Sequence, residues 1–453
     1  MPSPSTTFIS PVAAKLRFRK ERGSKCPTHL EAFARDRSGG ALVLVGLSLP
    51  VLFGAAALAV DLGSWYSSRR QYQTAADAAA VAAAWERIKG NGYLLKVAET
   101  DAARNGVSVG GPIVMTLNNP PLSGPNAGRG EAVEVIITVA EKKMLSSLVH
   151  SGSITNQVRA VASVITKGNA CILALDKFAE SAVKIWGETD VSAVGCVIAS
   201  NSTHNWSINI GGESVLRAES LWSAGLVQIA ADVKLATPPT VKAWALDDPY
   251  ESLTVQGMPS SCIVTNPSPY TKSVTLNPGR YCLNSGGTLT FKADAVVTLK
   301  PGTYYVDSGD MIVNGGAKFK CSCDYAAGQG VTFVFTSSTS SSAIGTVHIN
   351  GGAEFDLRAP TSGYYKGVLF YQDQRAPSGT AEFNGGATMV LNGAIYFKKQ
   401  QVMFSGTNTA TATSCLQIIA NTVEISGETK LINNGCAEAG IKPVEIKGIQ
   451  LVE

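Results

Sequence analysis

Charge is scarce in this chain, at 16% of 453 residues, and it is missing altogether from Gly39 to Val60. Histidine is scarcer: His29, His150, His204 and His348 are the whole supply, and neither His204 nor His348 adjoins a nucleophile motif. The phosphate loop G-x-x-x-x-G-K-[ST] is absent, and the nucleophile-elbow pattern G-x-S-x-G is matched only at Gly106–Gly110, in a turn-rich stretch rather than at a strand-to-helix turn. No C-x-x-C pair with a nearby histidine offers zinc a ligand set. Hydrolytic, phosphoryl-transfer and metal chemistry therefore have little to work with. The formal charge of +4 does not make a basic face for nucleic acid, because residues 1–38 alone carry a net +5 and the remainder is slightly acidic.

The uncharged stretch is long enough to cross a bilayer as a helix, which takes about 20 apolar residues, and no face of it is polar. Lys15, Arg17, Arg19, Lys20, Arg22, Lys25, Arg35 and Arg37 precede it. Positive charge on that side predicts a cytoplasmic tail over 1–38, a transmembrane helix over 39–60 and an exported remainder. Trp65 and Tyr66 suit the headgroup level just beyond, and Pro50 sits mid-span. Ala57-Leu58-Ala59 has the small-x-small form of a signal-peptidase site, but the apolar run exceeds an ordinary signal core of about 7–15 residues. Pilin-type cleavage at Gly39 or Gly40 would require a Glu where Leu44 or Val45 stands. From Ser64 to Lys89 there is neither Gly nor Pro, and alanine dominates. The span is thus expected to continue over 61–89 as one helix, either packed on partner membrane helices or serving as a solvated spacer.

Gly39, Pro50, Asp61, Arg70, Gln71 and Asp77, with Arg37-Ser38 before them and Ala75 and Ala78–Ala80 among them, occur in an order that resembles the N-terminal region of Flp (tight adherence, Tad) pilus-assembly proteins of the TadG type. The resemblance covers about 50 residues. It implies a bacterial envelope protein serving a pilus machine, and no catalytic residue. Some members carry a von Willebrand A domain with a D-x-S-x-S metal site; Asp176-Lys177-Phe178-Ala179-Glu180 lacks both serines, so that site is not expected.

Residues 90–167 read as a small α/β module. Ala132–Lys143 and "ITNQVRAVASVIT" are predicted strands, "MLSSLVHSG" between them is a predicted short helix, and 106–130 is turn-rich. From 168 to 453 short β-rich runs alternate with Gly/Asn turns. Asn-Gly-Gly-Ala recurs at Asn314, Asn350 and Asn384, with a looser relative at Asn209, and "LNPGRYCLNSG" pairs with "LKPGTYYVDSG". Periods of 20–50 residues mark repeat architectures whose units bury their faces only against neighbours. The fold expected is mainly β: a right-handed parallel β-helix, with a β-sandwich as the alternative. Gly-Gly would supply turns of positive φ, and Asn would tolerate them or stack as a ladder.

Cys26 falls in the tail. The other eight, Cys171, Cys196, Cys262, Cys282, Cys321, Cys323, Cys415 and Cys436, form an even set that suits an oxidising compartment. Neighbours pair naturally as Cys171–Cys196, Cys262–Cys282 and Cys415–Cys436, leaving Cys321 and Cys323 to bond each other or bridge elsewhere; eight cysteines permit about 105 connectivities.

Asp294, Asp307, Asp310 and Asp324 cluster in sequence and are candidates for a glycosidase-like carboxylate pair, but Asp307 and Asp310 sit in a Ser/Gly turn where Asp is favoured for turn chemistry. The expectation is therefore a single-pass inner-membrane protein with no enzymatic activity and no cofactor. Its N-terminus would be cytoplasmic and its β domain periplasmic or surface-facing. It would act as a scaffold meeting other pilus-assembly membrane proteins or pilin, with envelope glycan as a further contact. A secreted adhesin and a polysaccharide-acting β-helix enzyme are the alternatives.

Overall fold

The computed structural model describes residues 38–90, 92–141, 154–384, 388–406, 409–413, 415–428, 430–433 and 440–453. The basic tail before Ser38, the short helix expected over 144–152, and Cys26 and Cys436 lie outside the described residues. The chain is mainly β, with one long apolar helix ahead of the strands. It divides into two compact units. One holds residues up to Ala80 with Leu95–Asn118 and Glu134–Ala160; the other holds Val81–Leu94, Asn119–Val133 and Val161–Glu453.

Helix α1 (Ser38–Lys89), whose residues up to Ala80 belong to the first unit, runs unbroken through Pro50. At about 1.5 Å per residue its 52 residues extend about 78 Å. Leu42 to Leu62 leave their large apolar side chains exposed, whereas Ala75, Ala76, Ala79 and Ala80 are fully buried. Strand β1 (Ile113–Asn118) pairs antiparallel with β2 (Ala132–Glu141), which pairs in turn with β3 (Ile154–Ala174). Helix α2 (Leu94–Arg104) buries Ala98 and Ala102, one turn apart. The turn-rich reading of 106–130 missed β1, whose single buried side chain, Met115, leaves no alternating pattern. Gln73 Nε2 donates to the Arg159 carbonyl at 2.9 Å, and the Arg159 guanidinium binds the fully buried Glu134 carboxylate at 2.6 Å. The alanine run therefore corrects the solvated-spacer expectation: it is packing surface inside its own chain.

In the second unit the strands pair in parallel, one circuit of chain against the next, except for the last, Val444–Leu451, which runs antiparallel to β3. A β-sandwich, built from antiparallel pairs, does not fit this pattern. One ladder runs Val215–Ser223, Asp190–Ser200, β3, Leu416–Gly427, Thr388–Ser405, Val368–Gln372, Val331–Thr336, Gly302–Val313, Gly279–Phe291 and Cys262–Thr265. Ladders through Val183–Gly187 and through Lys318–Cys321 follow the same neighbours. The interior is filled by side chains that stack from one circuit to the next. Phe319 lies on Phe355 at 4.8 Å, Phe333 on Phe370 at 5.4 Å and Phe383 on Phe404 at 4.8 Å, each pair nearly coplanar. Stacked rings of this kind add about 0.5–1.5 kcal/mol beyond burial.

In the two copies that fall wholly within the described residues, Asn314–Ala317 and Asn350–Ala353, the Asn-Gly-Gly-Ala repeat makes a corner between strands. Asn350 Nδ2 donates to Asn314 Oδ1 at 3.1 Å, so the asparagines form a ladder. The second glycine takes the left-handed turn, at φ +88° for Gly316 and +87° for Gly352. The first must be glycine for another reason: a Cβ on Gly315 would lie 2.1 Å from the Gly351 carbonyl oxygen.

The order of circuits is not the order of the chain. Leu416–Gly427, near the end of the sequence, pairs with Ile172–Ala174 and Val183–Gly187, near the start of the unit. Val215–Ser223 and Cys262–Thr265 therefore belong to opposite ends of the ladder, and residues 236–261 must travel its length. Roughly 40 Å separates those ends at about 4.8 Å per step, and this segment can reach up to about 85 Å.

Its path is fixed by side chains of successive circuits. Asn201 holds Leu246 by both backbone groups, at 2.7 and 2.8 Å. The Tyr396 hydroxyl donates to Asp248 at 2.8 Å, the Tyr371 hydroxyl to the Leu253 carbonyl at 2.7 Å, and the Tyr305 hydroxyl to the Gln256 carbonyl. Burial pushes the Tyr371, Tyr396 and Tyr305 phenols up, so they remain donors at any ordinary pH. A raised phenol contributes stability that is complete below the unfolded value of about 10 and is lost as pH rises above it. Stability should therefore stay level through neutral pH and fall above about pH 10. Tyr371→Phe should remove about 1 kcal/mol at pH 8 and make the alkaline fall shallower, as read by urea unfolding.

Candidate functional site

Gly39 lies in the first turn of α1 and Pro50 within its exposed apolar half. Asp61, the first charge after that half, is only 1% exposed. Beyond it, Arg70 is exposed, while Gln71 Nε2 donates to the Gly106 carbonyl at 3.4 Å. A Cβ on Gly106, which turns with φ +83°, would meet that same Nε2 at 2.6 Å. Asp77 accepts from Gln73 Nε2 at 2.8 Å. The polar residues that follow the apolar run thus fasten the helix to its own module. One helix has two solvents: bare apolar side chains before Asp61, packed alanines after it.

Residues 39–86 match the family model for Flp pilus-assembly TadE/G-like proteins. That segment is TadE/G-like. The match lies wholly within α1, so it covers the apolar half and the packed half of one helix and none of the strands. No curated protein and no solved structure matched the chain.

The strand unit that follows the TadE/G-like segment carries three described disulfides, Cys171–Cys196, Cys262–Cys282 and Cys321–Cys323. The first two span 25 and 20 residues and tie adjacent circuits, with Cα–Cα distances of 5.7 Å. Cys415 is disulfide-bonded as well; the pairing expected with Cys436 falls on a residue outside those described.

The four clustered aspartates are used separately. Asp294 is exposed in a turn at φ +69°. Asp310 accepts from the Thr346 N–H at 2.8 Å, and Asp324 accepts from the N–H groups of Ala326 and Ala327. Asp307 is buried among Arg280 Nε at 2.7 Å, the Ser338 N–H at 2.8 Å, and the Ser308 and Ser338 hydroxyls at 2.8 and 2.9 Å. Burial alone would raise its carboxyl, but these four donors outweigh it and hold the group below the usual carboxylate range. Ser338 alone thus supplies two of these four donors. Asp176 accepts from the N–H groups of Phe178 and Ala179, a turn cap. Among the described residues, no group of three or more His, Cys, Asp and Glu side chains is placed to hold a metal ion.

An aromatic group escaped the sequence reading. Trp244 packs edge-on between Trp222 and Trp85, at ring-centroid distances of 4.4 and 4.1 Å. These residues lie far apart in sequence, and the segment around Trp244 has neither repeat nor periodicity, so nothing local marks them.

A depressed carboxyl contributes stability that is full above its unfolded value, about 3.9, and is lost as pH falls through the folded one. Asp307→Asn should lower stability at pH 7 by about 3 kcal/mol, since it strands the Arg280 charge. It should also make the loss of stability below about pH 4 shallower. Urea unfolding followed by tryptophan fluorescence at pH 7 and pH 3 would measure both.

Proposed function

We propose that this protein is a membrane-anchored, non-enzymatic scaffold of a Flp/Tad-type pilus-assembly or secretion apparatus. The observation that carries the reading is the change of environment along the TadE/G-like helix. Its first half presents apolar side chains with no protein cover, the condition of a helix solvated by lipid. Its second half is packed inside the chain. Eight basic residues before the span favour an inner-membrane protein with its N-terminus in the cytoplasm and the strand unit in the periplasm or facing the surface.

In this reading the stacked parallel circuits are a right-handed parallel β-helix, the hand that parallel crossovers adopt in nearly all cases. The disulfides suit the oxidising side of the membrane. The lipid-facing half of α1 is the surface for other pilus-assembly membrane proteins or pilin. The strand unit offers a rigid repetitive surface to protein or envelope glycan. With each clustered aspartate engaged in its own turn or network, a polysaccharide-cleaving activity has no evident acid/base pair.

Tags at either end, followed by protease treatment of intact cells and spheroplasts, test this directly. A full-length membrane-bound protein whose C-terminal tag is digested only in spheroplasts is the expected result. A soluble or released product shortened by about 59 residues, as cleavage after Ala59 would give, would replace the scaffold with a secreted adhesin or enzyme.

A further inference from the structure

The Trp85–Trp244 pair forms one wall of a cavity of about 760 Å³ in the strand unit. That volume is within the usual range for a small-molecule site, about 300–1,000 Å³. Around it stand Lys89 and Lys447, and Asp247 and Glu445. Two cations and two anions leave the lining electrically neutral while supplying donors and acceptors in alternation.

The aromatic wall is rigid. The Trp222 Nε1–H donates to the Trp244 carbonyl at 3.1 Å, and Asn201 clamps the backbone of Leu246 two residues on. Packing alone would favour burying Trp244 completely, as Trp222 is buried, yet it is left 36% exposed. A ligand that uses this wall needs an apolar face to lie on indole. It also needs many small neutral hydrogen-bonding groups for the surrounding charges, and no net charge. A pyranose ring has that chemistry: axial C–H groups on one face and hydroxyls around the edge. An anion would meet Asp247 and Glu445, and a cation would meet Lys89 and Lys447.

We propose that this cavity binds a neutral saccharide, with Trp85 and Trp244 as the stacking surface and Asp247, Glu445, Lys89 and Lys447 as hydrogen-bonding partners. The site gives the extracytoplasmic reading a ligand class and rests on that reading for its access to envelope glycan. The binding itself is a property of the folded chain and is tested apart from topology.

The full chain in lipid nanodiscs, free of glycoside detergents, would be titrated with cellotetraose and with the tetramer of β-1,4-linked N-acetylglucosamine, while indole fluorescence is recorded. Tetragalacturonate is the charged control and an apolar peptide the protein-ligand control. The expected result is saturable binding of at least one neutral tetramer, weakened at least tenfold by Trp244→Ala and severalfold by Asp247→Asn. Trp186→Ala, which removes another exposed tryptophan, should leave it unchanged. Asp247 is exposed, so its substitution separates loss of binding from loss of fold. Saturation by neither neutral tetramer, preference for the galacturonate or the peptide, or binding indifferent to both Trp244→Ala and Asp247→Asn would overturn the proposal. Failure of binding in a protein that still shows the expected protease pattern would remove the site and leave the scaffold reading standing.

Discussion

The strand unit depends on one seam, where Leu416–Gly427 lies in parallel between Thr388–Ser405 on one side and Ile172–Ala174 with Val183–Gly187 on the other. Across it the Ile418 and Ile425 side chains join Ile172 and Ile185 in one buried core. Lys184 binds Glu424 at 3.0 Å, and Asn421 Nδ2 donates to Asp176 at 3.2 Å. The partly exposed ion pair adds little by itself. The core burial and the backbone ladder carry the seam. Without it the early circuits, up to Leu235, and the later ones, from Cys262, would be two short stacks with open edges.

The other unusual features of this unit follow from that seam. Because the last circuits dock on the first, the chain must leave one end of the ladder and resume at the other, and residues 236–261 exist to make that journey. The hydroxyls of Tyr371 and Tyr305 satisfy backbone carbonyls of this irregular segment against a regular ladder, and the Tyr396 hydroxyl holds its Asp248 side chain. The Trp222–Trp244–Trp85 group marks the segment's beginning, where its chain first leaves the strands.

Sequence reading recovered what repeats locally. The Asn-Gly-Gly-Ala corners were visible because the described copies share one left-handed turn, at Gly316 and Gly352, and that turn favours glycine at a fixed position. The apolar helix was visible because it lacks charge over a whole bilayer thickness. The order of the circuits was not visible. Any parallel rung offers the same backbone edge, and only the fit of Ile418, Ile172 and their neighbours selects the partner. The alanine run was equally ambiguous, since small side chains permit close approach to any surface. The decision lay in Gln71 and Gln73, whose hydrogen bonds tie that run to its own module, with Asp77 accepting from Gln73 along the helix. The buried Glu134–Arg159 pair was missed because strand alternation reads a charged residue as outward-facing.

The seam also has a history in each molecule. Lys184 and Glu424, which meet across it, are 240 residues apart. A chain emerging N-terminus first displays the Ile172 edge long before the segment that covers it has been made. In that interval the open edge can be covered by the Leu416 segment of a different copy, through the same hydrogen bonds and the same side chains. Exchange between molecules is then not a foreign contact but the native one made in trans. The arrangement that joins two short stacks into one long one is, for the same reason, the point at which two copies can become entangled.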